Sequence, residues 1–225
     1  MQIMVEAFEK PILTVDIVPL TLRDDSLCVL RATRDKEPFA GQAALIGGYV
    51  HVDKDAHLGE TARRVLSQKA GLADVYVEQL STFSGAIRDP RGWSASVAYF
   101  SLSPIDALAP ALERGELELV TVQQALDMPF DHDRILAAAL ERLRSKGAYS
   151  DLPARFLPDE FTLSELHDVY EIALGETLNT DAFRRKVMER GFLEETGEKR
   201  RMAGANRPSV LYRLKCEYTV FDRRL

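Results

Sequence analysis

The chain has 225 residues, of which 46% are hydrophobic and 28% charged, and its formal net charge is −6 at pH 7. This length allows one large domain or an ordinary domain joined to a small one, and the negative charge argues against a protein that coats nucleic acid. No apolar run is long enough to span a membrane, and the N-terminus lacks the pattern of a signal peptide. The two cysteines, Cys28 and Cys216, have no disulfide or metal-type spacing. We therefore expect a cytoplasmic protein with no membrane partner.

The first half of the chain predicts an α/β layer domain. Two apolar, β-branched runs on either side of the polar turn 23–25 predict a hairpin, and further strands are predicted at 75–83, 94–102 and 117–122. Helical spacing of apolar residues predicts one helix over 58–70, closed by Gly71, and a second over about 131–144. Mixed strands with two or three helices form layers around one core, and we expect this domain to comprise residues 1–147.

Residues 148–225 predict a second, smaller domain. A proline-containing connector leads to Thr162-Leu163-Ser164-Glu165, a capping box that starts a helix ending at Gly175. A short turn then leads to Thr180, the predicted cap of a second helix that runs to Arg190. Strands are predicted at 192–196 and 209–214, joined by a basic loop over 197–208. Helix, short turn, basic helix and hairpin are the parts of a winged helix-turn-helix.

The charge distribution supports DNA binding by this second domain. Residues 180–215 contain ten basic and five acidic residues, so the segment carries +5 and the rest of the chain −11. In such domains the helix reads base edges and loop cations neutralise phosphates. Two other interpretations stay open: a solvated basic surface, and a small helical domain that contacts an acidic protein. The candidate DNA-binding residues are Thr180, Arg184, Arg185, Lys186, Arg190, Lys199, Arg200, Arg201, Asn206 and Arg207.

Residues 47–72 resemble a Nudix box. The matching parts are Gly47-Gly48-Tyr49-Val50, a helix that carries Arg64, and the ending Ala70-Gly71-Leu72. In Nudix hydrolases, glutamates on this helix hold the magnesium ion that activates water, since magnesium prefers oxygen ligands. Alignment on Arg64 and Gly71 places Val65, Gln68 and Lys69 at the glutamate positions, and the loop over 51–58 is two residues longer than in the hydrolases. The resemblance therefore predicts a Nudix domain without the usual hydrolysis and without a bound metal. Asp53 and Asp55 are interpreted as solvated loop acids.

From about Pro11 to Leu214 the chain resembles the NrtR family of Nudix-related transcriptional regulators. The resemblance implies a Nudix-type α/β/α sandwich with a mixed sheet, followed by the winged helix-turn-helix. It also implies a homodimeric repressor of NAD or sugar metabolism genes that binds double-stranded operator DNA. An ADP-ribose-like nucleotide is the implied effector, and no cofactor is required. The chain departs from the family at Ala43 and Ile46, where Trp and Pro are usual. Its matching segments are 38–41, 88–92, 96–99, 130–132, 161–166, 183–186, 193–197 and 207–208.

Candidate effector contacts follow from the chemistry of a nucleotide. Arg34, Arg88 and Arg91 are predicted to bind its phosphates, because a guanidinium pairs with phosphate oxygens in a two-pronged manner. Tyr49 and Trp93 are predicted to stack on a base or line a ribose. Without the family resemblance, residues 88–92 favour an ordinary charged turn between strands. The rival to a non-hydrolytic sensor is a weak hydrolase of nucleoside diphosphate derivatives, which an assay of ADP-ribose cleavage distinguishes.

Overall fold

The computed structural model describes residues 10–201, 207–215 and 218–225. The strands are β1 (Ile12–Arg23), β2 (Ser26–Thr33), β3 (Ala43–Ala44), β4 (Ile46–Tyr49), β5 (Tyr76–Gly85), β6 (Ser94–Leu102), β7 (Leu117–Thr121), β8 (Leu193–Arg200) and β9 (Ser209–Leu214). The α-helices are α1 (Leu58–Ala70), α2 (Ala109–Glu113), α3 (His132–Gly147), α4 (Leu163–Leu174) and α5 (Thr180–Arg190). Short 3-10 helices span Ile105–Leu108 and Leu152–Phe156. None of the described helices is long and apolar enough to cross a bilayer.

Strand β1 lies at the centre of a seven-stranded mixed sheet. Residues 12–20 pair in parallel with β6, while β2 and β4 pair with β1 in the antiparallel direction. Strand β5 extends the sheet beyond β6, and β3 and β7 pair with β2. Successive side chains of a strand point to opposite faces. Val15 and Ile17 therefore lie on one face of the sheet, and Val18 and Leu20 lie on the other.

One helix covers each face of this sheet. Helix α1 packs Ala62, Val65 and Leu66 against the face that carries Val15 and Ile17. Helix α3 covers the opposite face with four buried apolar residues spaced by helical turns, namely Ile135, Leu136, Ala139 and Leu143. The mixed sheet between two helical layers confirms the predicted α/β/α sandwich.

The C-terminal residues form a second core built by α4, α5 and the β8–β9 hairpin. The capping box is present, with Thr162 and Glu165 each satisfying a backbone N–H of the other. Behind it, α4 and α5 bury a largely aromatic cluster that includes Phe161, Leu166, Tyr170, Phe183, Val187, Phe192 and Tyr212. Two helices joined by a short turn and followed by a hairpin confirm the predicted winged helix-turn-helix.

Helix α4 belongs to both cores. Its buried Tyr170 faces the winged-helix core, whereas Val169 and Ala173 pack into the sandwich core beside α3. The same helix contacts β2. The division of the chain at Gly147 stays a prediction, because apolar contacts continue across it.

Several element boundaries differ from those expected. Asn179, and not Thr180, is the N-cap of α5, because its side-chain oxygen accepts a hydrogen bond from the backbone N–H of Ala182 at 2.9 Å. Strand β8 continues through Gly197 to Arg200, with an irregular register between Glu195 and Lys199. Lys199 and Arg200 therefore lie on the hairpin strand and not in the loop. The short strands β3 and β4 are too brief to produce a period-2 signal in the sequence.

Candidate functional site

A cavity of about 460 Å³ opens on the sandwich domain beside the Nudix-box helix. Its wall combines the end of β2 and the following loop, strand β4, helix α1, the β5–β6 loop and the start of α3. Four of the five predicted effector residues lie in this lining, namely Arg34, Tyr49, Arg88 and Arg91. Trp93 does not line the cavity and is 52% exposed. The structure thus brings together residues that are up to 57 positions apart in the sequence.

Arg34 and Arg91 converge on one aromatic ring. The guanidinium of Arg34 lies 4.8 Å from the ring centroid of Phe130, and that of Arg91 lies 5.9 Å from the same ring. Arg91 also donates a hydrogen bond to the Tyr49 hydroxyl and forms a two-pronged ion pair with Asp89. Stacked guanidinium groups beside aromatic rings form a surface suited to phosphates and a base. Sequence reasoning did not assign Phe130 to the site.

Arg88 is held in the floor of the cavity by acidic residues. Its side chain is 6% exposed, with Nη2 lying 2.7 Å from Asp131 Oδ1 and 3.6 Å from Asp16 Oδ2. Its Nη1 donates to the Ser94 hydroxyl at 3.1 Å. Two carboxylates already compensate this guanidinium, so the geometry favours a positioning role over direct phosphate contact.

Beneath Gly47 lies a buried polar network that sequence reasoning missed. The backbone N–H of Leu45 donates to His132 Nδ1 at 3.0 Å, which leaves Nε2 facing Asp16 Oδ1 at 3.7 Å. Burial acts to raise the pKa of Asp16, but His132, together with Ser96 and Arg88, outweighs this effect and lowers the pKa. A Cβ on Gly47 would lie 2.1 Å from Asp16 Oδ1, so this position requires glycine. The only sequence signal was the resemblance of residues 130–132 to the family.

The arginine of the Nudix box ties the long loop to α1. Arg64 contacts Asp55 through two nitrogens, each at 2.7 Å, and donates to the Tyr49 carbonyl at 3.0 Å. Asp55 is 9% exposed and also accepts from the backbone of His51 and the hydroxyl of Thr61. These hydrogen bonds, above all those from Arg64, hold the pKa of Asp55 far below its ordinary value. The interpretation of Asp55 as a solvated loop acid was wrong, because it is the buried anchor of the loop.

The resemblance to the Nudix box aligns three residues of α1, Val65, Gln68 and Lys69, with the hydrolase glutamates. Val65 is buried beneath Gly48, Gln68 offers a neutral amide, and Lys69 brings an ammonium group. The Lys69 Nζ donates to the carbonyl oxygen of Gly47 at 2.7 Å. Magnesium prefers anionic oxygen ligands, and none of these three side chains provides one.

Helix α5 presents a basic face on the winged-helix domain. Phe183 and Val187 are buried, and the Phe183 ring packs against Tyr170 with centroids 5.2 Å apart. Arg184 and Arg185 project into solvent. Arg184 has no ion-pair partner within the described residues, and Arg185 approaches only Glu189, at 4.0 Å. Thr180 and Lys186 lie on the same helix, exposed and half-buried respectively.

Side chains of α4 form hydrogen bonds with the turn before α5. His167 Nε2 lies 3.0 Å from the Leu178 carbonyl oxygen, and Glu171 Oε1 accepts the Leu178 N–H at 2.7 Å. With Asp168, these residues form a His/Asp/Glu group close enough to hold a metal ion. His167 Nε2 and Glu171 Oε1 are engaged with the turn, and Asp168 Oδ1 lies 3.4 Å from His167 Nδ1, so these side chains orient α5 relative to α4.

The wing carries both free and neutralised cations. Lys199 and Arg207 are exposed and have no ion-pair partner in the described part of the chain, and Arg201 is also exposed. Arg200 contacts Glu165 of the capping box at 2.5 Å. Asn206, a further predicted DNA contact, lies outside the described residues.

Arg190 is engaged by the C-terminal tail. It forms an ion pair with Asp222, donates to the Arg223 carbonyl at 3.2 Å, and lies 5.8 Å from the Phe221 ring. Phe221 in turn packs against Phe192. This arrangement favours a role in anchoring the tail, and it leaves Arg184 and Arg185 as the accessible arginines of α5.

Comparison with known proteins identifies relatives of both parts of the chain. Residues 153–214 match the family described as the NrtR DNA-binding winged helix domain. The chain is 40% identical over 209 residues to the ADPR responsive transcriptional repressor NtrR of Acinetobacter baylyi, which covers 92% of this chain and 83% of that protein. The crystal structure of Shewanella oneidensis NrtR complexed with a 27mer DNA matches at a TM-score of 0.88 and 37% identity, over 95% of this chain and 99% of that one. The Nudix domain of Shewanella oneidensis NrtR complexed with ADP-ribose matches at a TM-score of 0.53 and 34% identity, over 60% of this chain and 90% of that one.

Proposed function

Because this chain belongs to the NrtR family of Nudix-related transcriptional regulators, we propose that it is a DNA-binding repressor controlled by an ADP-ribose-like nucleotide. The observation that carries the DNA-binding part is the solvent-facing pair Arg184 and Arg185 on the second helix of a winged helix-turn-helix. The relatives that act as an ADPR-responsive repressor and that bind a DNA duplex support the same function. Genes of NAD or sugar metabolism are the proposed targets.

On DNA, α5 enters the major groove and the wing contacts the backbone. Arg184 and Arg185 reach base edges, since a guanidinium pairs with two acceptors of guanine. Lys199 and Arg207 neutralise phosphates and fix the register of the helix. A homodimer places two such domains on a two-fold-related operator with half-sites about one helical turn apart.

The cavity beside α1 holds the effector. Its volume of about 460 Å³ falls within the range of small-ligand sites. Arg34 and Arg91 contact the phosphates, and Phe130 with Tyr49 provides aromatic surfaces for the base or ribose. The ligand leaves unhydrolysed, because Val65, Gln68 and Lys69 provide no anionic oxygen for the metal that the Nudix reaction uses.

Strand β2 connects the effector cavity with the DNA-binding domain. Arg34 follows the end of β2 directly, and Val29 of the same strand shares a core with Val169 of α4. A nucleotide that draws Arg34 toward its phosphates shifts the surface on which α4 rests, and α4 carries α5. The angle between the domains then changes, so the two recognition helices of a dimer no longer reach their half-sites together. Such control requires the nucleotide to bind one arrangement more tightly than the other.

A gel-shift assay with the upstream region of the protein's own gene tests both domains. We expect wild-type protein to shift this DNA, and ADP-ribose or NAD, added in a titration, to change the shifted fraction. Replacement of both Arg184 and Arg185 by Ala should abolish the shift, and retention of binding would contradict the role assigned to α5. A parallel incubation of ADP-ribose with magnesium or manganese should yield no cleavage products. Brisk turnover would favour the hydrolase alternative.

A further inference from the structure

The ammonium group of Lys69 occupies a particular place in the effector cavity. Lys69 lies in the last turn of α1, and its Nζ donates to the Gly47 carbonyl oxygen at 2.7 Å. When the chain is aligned with the Nudix box, Lys69 takes the position of a metal-binding glutamate of the hydrolases. A carbonyl oxygen is itself a ligand that hard cations accept. The ammonium therefore caps an oxygen beside which a metal ion would otherwise be expected.

Most of the other cations that line the cavity are already neutralised by carboxylates. Arg64 is paired with Asp55, Arg88 with Asp131 and Asp16, and Arg91 with Asp89. Three other cations of the lining, Arg34, Lys36 and Lys69, form no ion pair with a carboxylate of the described residues.

Arg34 and Lys69 are bonded to neutral carbonyl oxygens only. Arg34 donates to the backbone oxygens of Pro38 and Lys36, at 2.8 and 3.2 Å, and Lys69 donates to that of Gly47. No carboxylate within the described residues forms an ion pair with either of them. Together with the exposed Lys36, they are the cavity cations whose charge no carboxylate of the described residues compensates.

We propose that Lys69 replaces the divalent cation of Nudix hydrolases, so that its ammonium group binds the diphosphate of the nucleotide directly and binding needs no metal. This inference rests on the proposed nucleotide-sensing function. An ammonium group has three N–H donors, and the Gly47 carbonyl uses one of them. Two donors are left for phosphate oxygens, and the fixed positive charge repels a metal ion from the same place.

The surroundings of Lys69 shift its pKa. Partial desolvation by the neighbouring cavity wall lowers the pKa of Lys69, while Asp35 opposes the effect by attraction. A phosphate placed beside the ammonium would favour its charged form, because an opposite charge stabilises the protonated amine. Lys69 and the ligand thus stabilise each other.

Calorimetric titration with ADP-ribose tests the proposal, using the full chain in EDTA and again in magnesium. For the wild type we expect the same dissociation constant in both buffers. Lys69→Gln should weaken binding by about tenfold or more in both, since a charge-assisted hydrogen bond is lost. Lys69→Arg, which keeps the charge, should retain most of the affinity. Arg63→Gln is the matched control, because Arg63 lies on the same helix but outside this cavity.

A charge reversal gives a second, independent readout. Lys69→Glu places a carboxylate beside the Gly47 carbonyl, and we expect its binding to be weak in EDTA and to recover when magnesium or manganese is added. Thermal unfolding should show that each variant is folded, as expected for an exposed side chain.

The possible failures are distinguishable. If wild-type protein does not bind ADP-ribose in either buffer, the nucleotide-sensing function is wrong and the inference falls with it. If wild-type protein binds only with a divalent cation, or Lys69→Gln binds as tightly as wild type, Lys69 does not replace the metal and the sensing function stands.

Discussion

Lys199 and Arg200 are adjacent cations on the wing that should respond differently to removal of their charge. Lys199 is exposed and has no ion-pair partner in the described chain, whereas Arg200 is held 2.5 Å from Glu165. We therefore expect Lys199 to neutralise a phosphate and Arg200 to keep its internal contact. Only a cation that contacts phosphate releases counterions when the protein binds DNA.

The magnitude follows from the number of phosphate contacts. Each contact adds about 0.9 to the slope of log affinity against log salt concentration. The proposed homodimer would carry every substitution twice, so Lys199→Gln should lower the slope by about 1.8, whereas Arg200→Gln should leave it unchanged. The two wing cations assigned to phosphates, Lys199 and Arg207, together contribute about 3.6 to the slope of a dimer.

Fluorescence anisotropy of a labelled operator duplex, measured at several potassium chloride concentrations, provides the slope for each protein. Thermal unfolding serves as the control, since loss of the half-buried Arg200–Glu165 pair should cost no more than about 1 kcal/mol. If both substitutions reduce the slope equally, the prediction is wrong. Arg200 would then contact a DNA phosphate although it forms an ion pair with Glu165 in the free protein.

Three further predictions concern stability and are measured by urea unfolding. Gly47→Ala should destabilise the fold by about 1–3 kcal/mol, because its Cβ would lie 2.1 Å from Asp16 Oδ1 and 3.0 Å from the Val15 carbonyl oxygen. Gly59→Ala should not, because its Cβ would come no closer than 3.1 Å to the His57 side chain. Asp55→Asn should lower the urea midpoint at pH 7. Because the folded pKa of Asp55 is lowered, its contribution is complete above the unfolded pKa of about 3.9 and is lost at lower pH, so the gap to wild type should narrow there. Phe221→Ala should cost about 3 kcal/mol by opening a cavity in the winged-helix core, and an unchanged midpoint would show that the tail does not pack there.

The strongly periodic parts of the fold could be predicted because their signals are local. Alternation along β1 and β6, helical spacing in α1 and α3, and the capping box before α4 each involve residues within a few positions of one another. The order of these elements was enough to predict a sandwich followed by a winged helix-turn-helix. The prediction that Val65, Gln68 and Lys69 stand where the hydrolases have metal-binding glutamates rests on the spacing of the box, which is local as well.

What the sequence by itself determined is the family, the two kinds of domain and the residue types available to a nucleotide and to DNA. Only the tertiary structure decided which arginines are free to act. Arg88 is paired with Asp131, 43 positions away, and Arg190 with Asp222, 32 positions away. Arg64 of α1 is likewise engaged, because it forms an ion pair with Asp55 of the preceding loop. An ion pair forms only where the fold brings two segments of the chain together. A local pattern of hydrophobic or charged residues does not specify which distant segments come into contact.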